Sequence, residues 1–334
     1  MTQVQTYVPL AQVRRNGVQE SLHYGAIAVV NLAGQRVYSA GDAASLCFGR
    51  SALKPFQALP FFAAGGVAAL GLSPSEAALL CASHSGEARH AQAAASILEK
   101  AGASAAQLRC GCHVPYRFSW FDQLPPAGET WSALHHNCSG KHAGFIAAAR
   151  LMGKDSTGYL DATHPVQTAA RAALAACAQL APQDLVAGID GCSAPTYALP
   201  LDALAQAFAR LAAPTPGIAG FDAGLNQVFD TMTAHPEMVS GLGRNDAALM
   251  HAGRGDWVTK IGAEAVQCIG IRSAGLGIAI KMADGQTRGL YPATVAVLDT
   301  LGLLDAQARQ DLAPWRNPVL KNSMGIAVGD VWAD

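Results

Sequence analysis

Apolar residues fall along the chain in two rhythms. Ala26-Ile27-Ala28-Val29-Val30-Asn31-Leu32 is a nearly unbroken apolar run, partly β-branched, led in by Glu20 to Gly25. After Ala33-Gly34-Gln35 comes Arg36-Val37-Tyr38-Ser39. Short runs parted by a glycine turn predict two strands in a hairpin. Asp42 to Gly49 then reads as a loop. From Ser51 to about Met238 the rhythm is helical and rich in alanine, the best helix former. Pro60, Gly65-Gly66, Gly71, Gly102 and Pro125-Pro126 punctuate it. Ser73-Pro74-Ser75-Glu76 predicts a helix start. Leu98 to Gln107 ends one helix, and Val166 to Leu180 and Leu201 to Leu211 are amphipathic helices. Ala212 to Gly217 is a loop. After Gly255 the strand rhythm returns. Asp256 to Lys260, Ala265 to Ile271 and Gly275 to Met282 predict three strands, with a turn at Ala283-Asp284-Gly285-Gln286 and a closing helix from Pro292 to Leu301.

Two strands at one end, three near the other and helices between them predict an α/β chain of the α+β kind. Strands from both ends share one antiparallel sheet, because short connections join each group. The expected organisation is a single domain of two intimate subdomains. The sheet part takes residues 1–50 and 255–334, and the mostly helical part takes 51–254.

Composition narrows the classes. Half of the 334 residues are hydrophobic and 14% are charged, so the chain can bury a large core and is not disordered. A net charge of −1 without a basic block argues against nucleic acid. The apolar run Phe61 to Leu72 holds Gly65, Gly66 and Gly71 and is too short to span a bilayer. Met1 to Thr6 lacks a basic stretch leading into an apolar one, so no signal peptide is expected and the expected compartment is the cytoplasm. Eight cysteines in such a chain read as buried free thiols rather than as a disulfide framework. Cys110-Gly111-Cys112 is too tight for an ordinary zinc knuckle.

Arg50-Ser51-Ala52-Leu53-Lys54-Pro55 carries the first candidate chemistry. A serine three residues before a lysine shares a helix face with it. A neutral lysine can take the proton of a serine hydroxyl and make it a nucleophile. Pro55 is tolerated only in a first turn, which puts Ser51 at a helix start, where backbone N–H groups favour developing negative charge. The residue before a proline resists the α conformation, so a distorted turn is expected at Lys54. Read alone, Ser-x-x-Lys is equally a helix cap followed by a solvated lysine.

Four polar islands keep it company. Cys81-Ala82-Ser83-His84-Ser85-Gly86-Glu87 is either a capped helix end or a set of site residues. His135 to His142 gathers three histidines, Cys138 and Lys141 ahead of a helix from Ala143. Ile189-Asp190-Gly191-Cys192 holds an acid and a thiol. Gly241-Leu242-Gly243-Arg244-Asn245-Asp246 offers a guanidinium to a carboxylate, or is a solvated turn. By spacing alone Cys138 and Cys192 are two buried thiols or part of a zinc site.

The strand arrangement is the one in which serine β-lactamases and penicillin-binding proteins carry Ser-x-x-Lys on an internal helix, and Lys260-Ile261-Gly262 echoes their Lys-Thr-Gly. Ile261 lacks the hydroxyl of that threonine, which counts against β-lactam chemistry. Taken together, Arg50-Ser51-x-x-Lys54-Pro55, Cys81 to Glu87, His136 to His142, Asp190-Gly191-Cys192 and Lys260-x-Gly262-Ala263-Glu264 resemble the class 3, rhizobial-type L-asparaginases, also called the asparaginase II family. The resemblance covers nearly the whole chain. It implies a β-lactamase/glutaminase-like fold, a homodimer, and hydrolysis of L-asparagine to L-aspartate and ammonia. It implies two Ser-Lys tandems, Ser51 with Lys54 and Ser83 with Lys260, and a zinc ion on Cys138, Lys141 and Cys192. Arg50, His142 and Asp190 are then expected near the substrate, with Arg244 or Arg50 on its α-carboxylate. A glutaminase or other amidase, and a non-catalytic sensor of amino acids or zinc, are the competing readings.

Overall fold

The computed structural model describes residues 6–214, 218 and 220–333. Met1 to Gln5, and Thr215 to Gly217 of the expected loop, lie outside the described residues. The described strands are β1 (Val8–Arg15), β2 (Val18–Asn31), β3 (Arg36–Ala40), β4 (Leu46–Phe48), β5 (Val186–Ile189), β6 (Pro195–Pro200), β7 (Trp257–Gly262), β8 (Val266–Ile271), β9 (Leu276–Met282), β10 (Val319–Lys321) and β11 (Ala327–Trp332). The large sheet has the order β10-β11-β1-β2-β9-β8-β7, with β3 also on β2. Every pairing in it is antiparallel. Its seam is β2 on β9, from Gly25 opposite Met282 to Asn31 opposite Leu276. The expected sheet of N- and C-terminal strands is therefore present.

The apolar run in β2 lacks polar alternation because both of its faces are covered. Ala26, Ala28 and Val30 join Val258, Cys268 and Ala279 in the larger core, which includes the alanine-rich helix Leu201–Ala212. Ile27 and Val29 join Ile269, Ile278 and Ile280 in a second core, with Leu290, Val297 and Leu298 of the helix Thr287–Thr300. Small side chains on one face and large ones on the other let the two helices clasp the sheet from opposite sides. Lys260 shares the face of Val258, since side chains alternate along β7. It thus points toward the helical part of the chain.

Several boundaries moved. Ser73 caps the helix Pro74–Leu79 with a full capping box to Glu76, as expected. The helices Pro165–Ala178 and Leu201–Ala212 stand where the periodicity put them. The helix Ala88–Lys100 ends inside the expected stretch. The closing helix begins earlier than expected, at Thr287, and carries Pro292 within it. The stretch 51–254 is not helical throughout: β5 and β6 lie in it and pair with β4 in a second, three-stranded sheet of order β4-β6-β5. Proline at both ends of β6 hid that strand. Among the described residues no helix is long and apolar enough to cross a membrane. All eight cysteines are free thiols, and only Cys112 is exposed.

Candidate active site

Ser51 sits in a 3₁₀ turn, Arg50–Leu53, that runs into the helix Lys54–Ala63. Pro55 occupies the first turn of that helix, where its missing N–H costs nothing. The distortion expected at Lys54 is absent: its φ and ψ are −58° and −38°, regular α values. The irregularity falls on Arg50 instead, whose φ of +50° is left-handed. Such backbone strain in a non-glycine residue persists only where the surroundings enforce it. β7 presses on this turn. A Cβ at Gly262 would stand 2.4 Å from Gly49 O, so only glycine permits the approach. Ser51 opens on a cleft of about 460 Å³, walled by Arg50, His113, Tyr116, His136, Asn137, Cys138, Asp190, Cys192 and Ala263 among others. That volume suits a small polar molecule.

Lys54 is fully buried. Its Nζ meets Ala82 O at 2.5 Å, Ser83 Oγ at 2.8 Å and Asn137 O at 3.3 Å. Ser83 is itself 4% exposed, its N–H donating to Val239 O. Lys260 is fully buried as well, and its Nζ donates to Ile261 O at 3.0 Å and faces Asp246 Oδ2 at 3.5 Å. Burial pushes the Lys260 amine down to about 8, with Asp246 opposing that shift and Lys54 and Arg244 adding to it. The side-chain contacts differ from the expected pairs. The amine of Lys54 goes to Ser83 rather than to Ser51, and Lys260 goes to Asp246. The reason is direction. Ser51 begins the turn and faces the cleft, whereas Lys54 lies one turn on and reaches the loop after the helix Pro74–Leu79.

The far wall carries charge. Arg50 Nε donates to Asp190 Oδ1 at 2.6 Å, and Gly191 N–H donates to the same oxygen at 2.9 Å. Burial raises the Asp190 carboxyl, but Lys141 and Arg50 outweigh it and the net shift is downward. Behind Asp190, Lys141 Nζ donates to Cys192 Sγ at 3.0 Å. A hydrogen bond from Cys192 leads in holding the Cys138 thiol well below its ordinary value, against burial. The attraction of the two sulfurs outweighs burial at Lys141 and holds its amine above the ordinary range. Two sulfur donors and one amine converge here, a set that suits a borderline-soft divalent ion such as zinc once all three are deprotonated. No group of three His, Cys, Asp or Glu side chains among the described residues is placed to hold a metal, so a site at this point needs the lysine. The helix Ser139–Leu151 can start here because Gly140 has no side chain: a Cβ would stand 2.2 Å from Leu79 O.

Two expected substrate residues lie back from the cleft. His142 is fully buried, its Nδ1 at 2.8 Å from Tyr159 Oη, and burial lowers its imidazole to about 4. Arg244 is buried beneath Trp120, and its guanidinium donates to Ser83 O at 2.9 Å. It braces the serine loop rather than walling the cleft. From sequence, His113 and Tyr116 drew no notice, and Asn137 and Asp246 lay inside stretches singled out for other residues. His136 and His113 stack edge to face at 4.4 Å on the cleft wall. Burial, then His113, takes the His136 imidazole down to about 3. The one available signal was the density of polar residues from 135 to 142.

A strained serine turn, two buried lysines and a charged cleft form a site built for chemistry rather than a packed core. The family model for L-asparaginase II matches residues 11–333. The chain belongs to the L-asparaginase II family, a family of amidohydrolases. No curated protein matches the sequence. Among solved structures, Mglu in its glutamate form aligns with a TM-score of 0.39 at 17% identity, over 84% of this chain and 61% of that one. Mglu in its native form in the presence of 4.3M NaCl aligns at 0.39 and 16%, over 85% and 63%. The chain thus spans a little over three-fifths of the length of those structures.

Proposed function

We propose that the chain is an L-asparaginase that hydrolyses the side-chain amide of L-asparagine to L-aspartate and ammonia through a serine nucleophile. The observation that carries this reading is the division of the two serines. Ser51 opens on the cleft, while Ser83 is buried on the amine of Lys54. Lys54 Nζ is within hydrogen-bond reach of the Ala82 and Asn137 carbonyl oxygens and of the Ser83 hydroxyl, so Ser83 is placed to hand a proton to it. Ser51 Oγ attacks the amide carbon, and its proton passes to Lys54 with Ser83 as relay. Backbone N–H groups at the start of the turn stabilise the oxyanion, a contribution of about 3 kcal/mol per donor. The proton then leaves with ammonia, and water cleaves the acyl-enzyme.

Arg50 and Asp190 form a ready dipole for the α-carboxylate and α-ammonium of an amino acid. A zinc ion would be held by Cys138, Cys192 and Lys141, and would supply a positive charge at that wall of the cleft. A homodimer in the cytoplasm completes the reading.

The test is ammonia release from L-asparagine, with L-glutamine alongside and Ser51→Ala as control. Turnover of asparagine that vanishes in the variant supports the reading. Ammonia from neither amide leaves a sensor as the better account. Glutamine differs by one methylene, worth about 1–3 kcal/mol of discrimination, and the cleft volume admits it. An acyl adduct mapped to Ser83 by mass spectrometry overturns the choice of nucleophile.

A further inference from the structure

Behind the serines lies a buried polar cluster that the proposed reaction has not used. Asp246, in the first turn of the helix Asn245–Ala252, is fully buried. Its carboxylate accepts from Ile261 N–H at 2.9 Å, Gln267 Nε2 at 3.0 Å and Thr259 Oγ1 at 3.1 Å. β7 is the last strand of its sheet, so the Ile261 N–H has no neighbouring strand to bond. The carboxylate takes the place of that strand. Three neutral donors hold it still, and Lys260 Nζ faces its second oxygen at 3.5 Å. The groups that act on Lys260 come from every side. Asp246 is the carboxyl partner, Lys54 and Arg244 are basic side chains that press the amine the other way, and Cys81 and Cys268 are buried thiols whose own pKa is raised by burial. One carboxylate therefore stands against two further basic side chains and the cost of burial. Leaving any of these charges without its partner in so dry a place is costly.

We propose that Asp246 is a positioning residue: its carboxylate, held by Ile261 N–H, Gln267 and Thr259, fixes the Lys260 amine against the edge of β7. The inference rests on the reading of the site given above and brings into it Lys260, a buried lysine whose charge acts on that of Lys54. Asp246 touches no reacting atom in that reading and acts through Lys260 alone.

The alkaline limb of kcat/KM tests it. The parent is expected to lose activity with a midpoint near 8, where burial brings the Lys260 amine. Asp246→Asn removes the carboxylate that raises that value, so its midpoint is expected to move down by about one unit, a tenfold loss at the old midpoint with a smaller loss at pH 6. Asp246→Glu restores the charge and returns the midpoint toward that of the parent. A loss equal at every pH with an unmoved midpoint overturns the proposal. The titration of Lys260 in the protein labelled with 13C-lysine gives the same answer without turnover, the signal being identified by its absence in Lys260→Met. A midpoint unmoved by Asp246→Asn there overturns the proposal even if the chain hydrolyses no asparagine. Should Asp246→Asn not fold alone, Lys260→Met is compared with Lys260→Met/Asp246→Asn. The double variant melts several degrees higher if the carboxylate is there for the lysine, and an equal or lower Tm overturns it.

Discussion

Lys54 Nζ lies 2.8 Å from Ser83 Oγ although the residues are 29 positions apart. Ser51, one turn from that lysine, receives no bond from its amine. The two serines are thus unequal, one open to the cleft and one folded onto a buried lysine amine. Ser51→Ala is expected to abolish ammonia release. Ser83→Ala is expected to keep KM within a few-fold while kcat falls by about 10²–10⁴, the usual worth of a proton-transfer group. Steady-state kinetics of the two variants check this, and the reverse ranking would give Ser83 the nucleophile's part.

Arg50 Nε and Asp190 Oδ1 meet at 2.6 Å on the cleft wall, where the proposed function places the charged groups of the amino acid. Arg50→Lys keeps the charge and loses the planar fork. It is expected to raise KM for asparagine at least tenfold with a smaller change in kcat. A variant with unchanged KM places the α-carboxylate elsewhere.

Cys138→Ser and Cys192→Ser are each expected to reduce bound zinc to background, read by elemental analysis after dialysis against a metal buffer. Lys141→Met is expected to weaken zinc at least tenfold without removing a thiol. Full zinc in the lysine variant would restrict the site to its sulfurs.

Gly140 and Gly144 lie one turn apart in the same helix with different neighbours. A Cβ at Gly140 meets the Leu79 carbonyl oxygen at 2.2 Å, and one at Gly144 meets the tip of the Leu80 side chain at 3.0 Å. Backbone cannot step aside as a side chain can. Gly140→Ala is expected to cost more than about 2 kcal/mol and Gly144→Ala to lie within about 1 kcal/mol of neutral, alanine's helix propensity offsetting some crowding. Urea denaturation ranks the two.

Glu76 closes a capping box and meets Lys100 at 2.7 Å. Burial works against its ionisation, but Lys100 and the Ser96 and Ser73 hydrogen bonds prevail and hold it at about 2. A folded-state value below the unfolded one gives stability that is present above about pH 4.3 and is lost as pH falls toward 2. Glu76→Gln is expected to cost on the order of 2 kcal/mol at pH 6 and clearly less at pH 3. Urea midpoints of both proteins at the two pH values decide, and a constant difference would assign the cost to packing.

The central sheet was readable because β2 and β7 to β9 are short apolar runs whose faces are both buried. β1 was not, since two of its eight residues are buried, four half-buried and two exposed, and its sequence looks mixed. The signal that remained was Asn16-Gly17, both with positive φ in the turn to β2, and it was missed. At the site, residue types were legible and partnerships were not. Ser51, Ser83, Lys54 and Lys260 stood out as polar residues in apolar surroundings. Which amine meets which hydroxyl depends on how a long side chain leaves its helix, and spacing along the chain carries no trace of that. Asp246 was hidden in a loop valued for its arginine, because its importance comes from the unpaired edge of a strand that follows it.

The pairing of β2 with β9 has a consequence for how the protein comes into being. Ser51, Lys54 and Ser83 leave the ribosome early, but the strand that must lie beside β2 ends at Met282. Until then β2 has a bare edge and Lys260 has no place to stand. Pairings of such long sequence separation form slowly. On the proposed reading, a nascent chain carries its serines without the means to use them, and hydrolytic competence arrives late in synthesis, with the sheet.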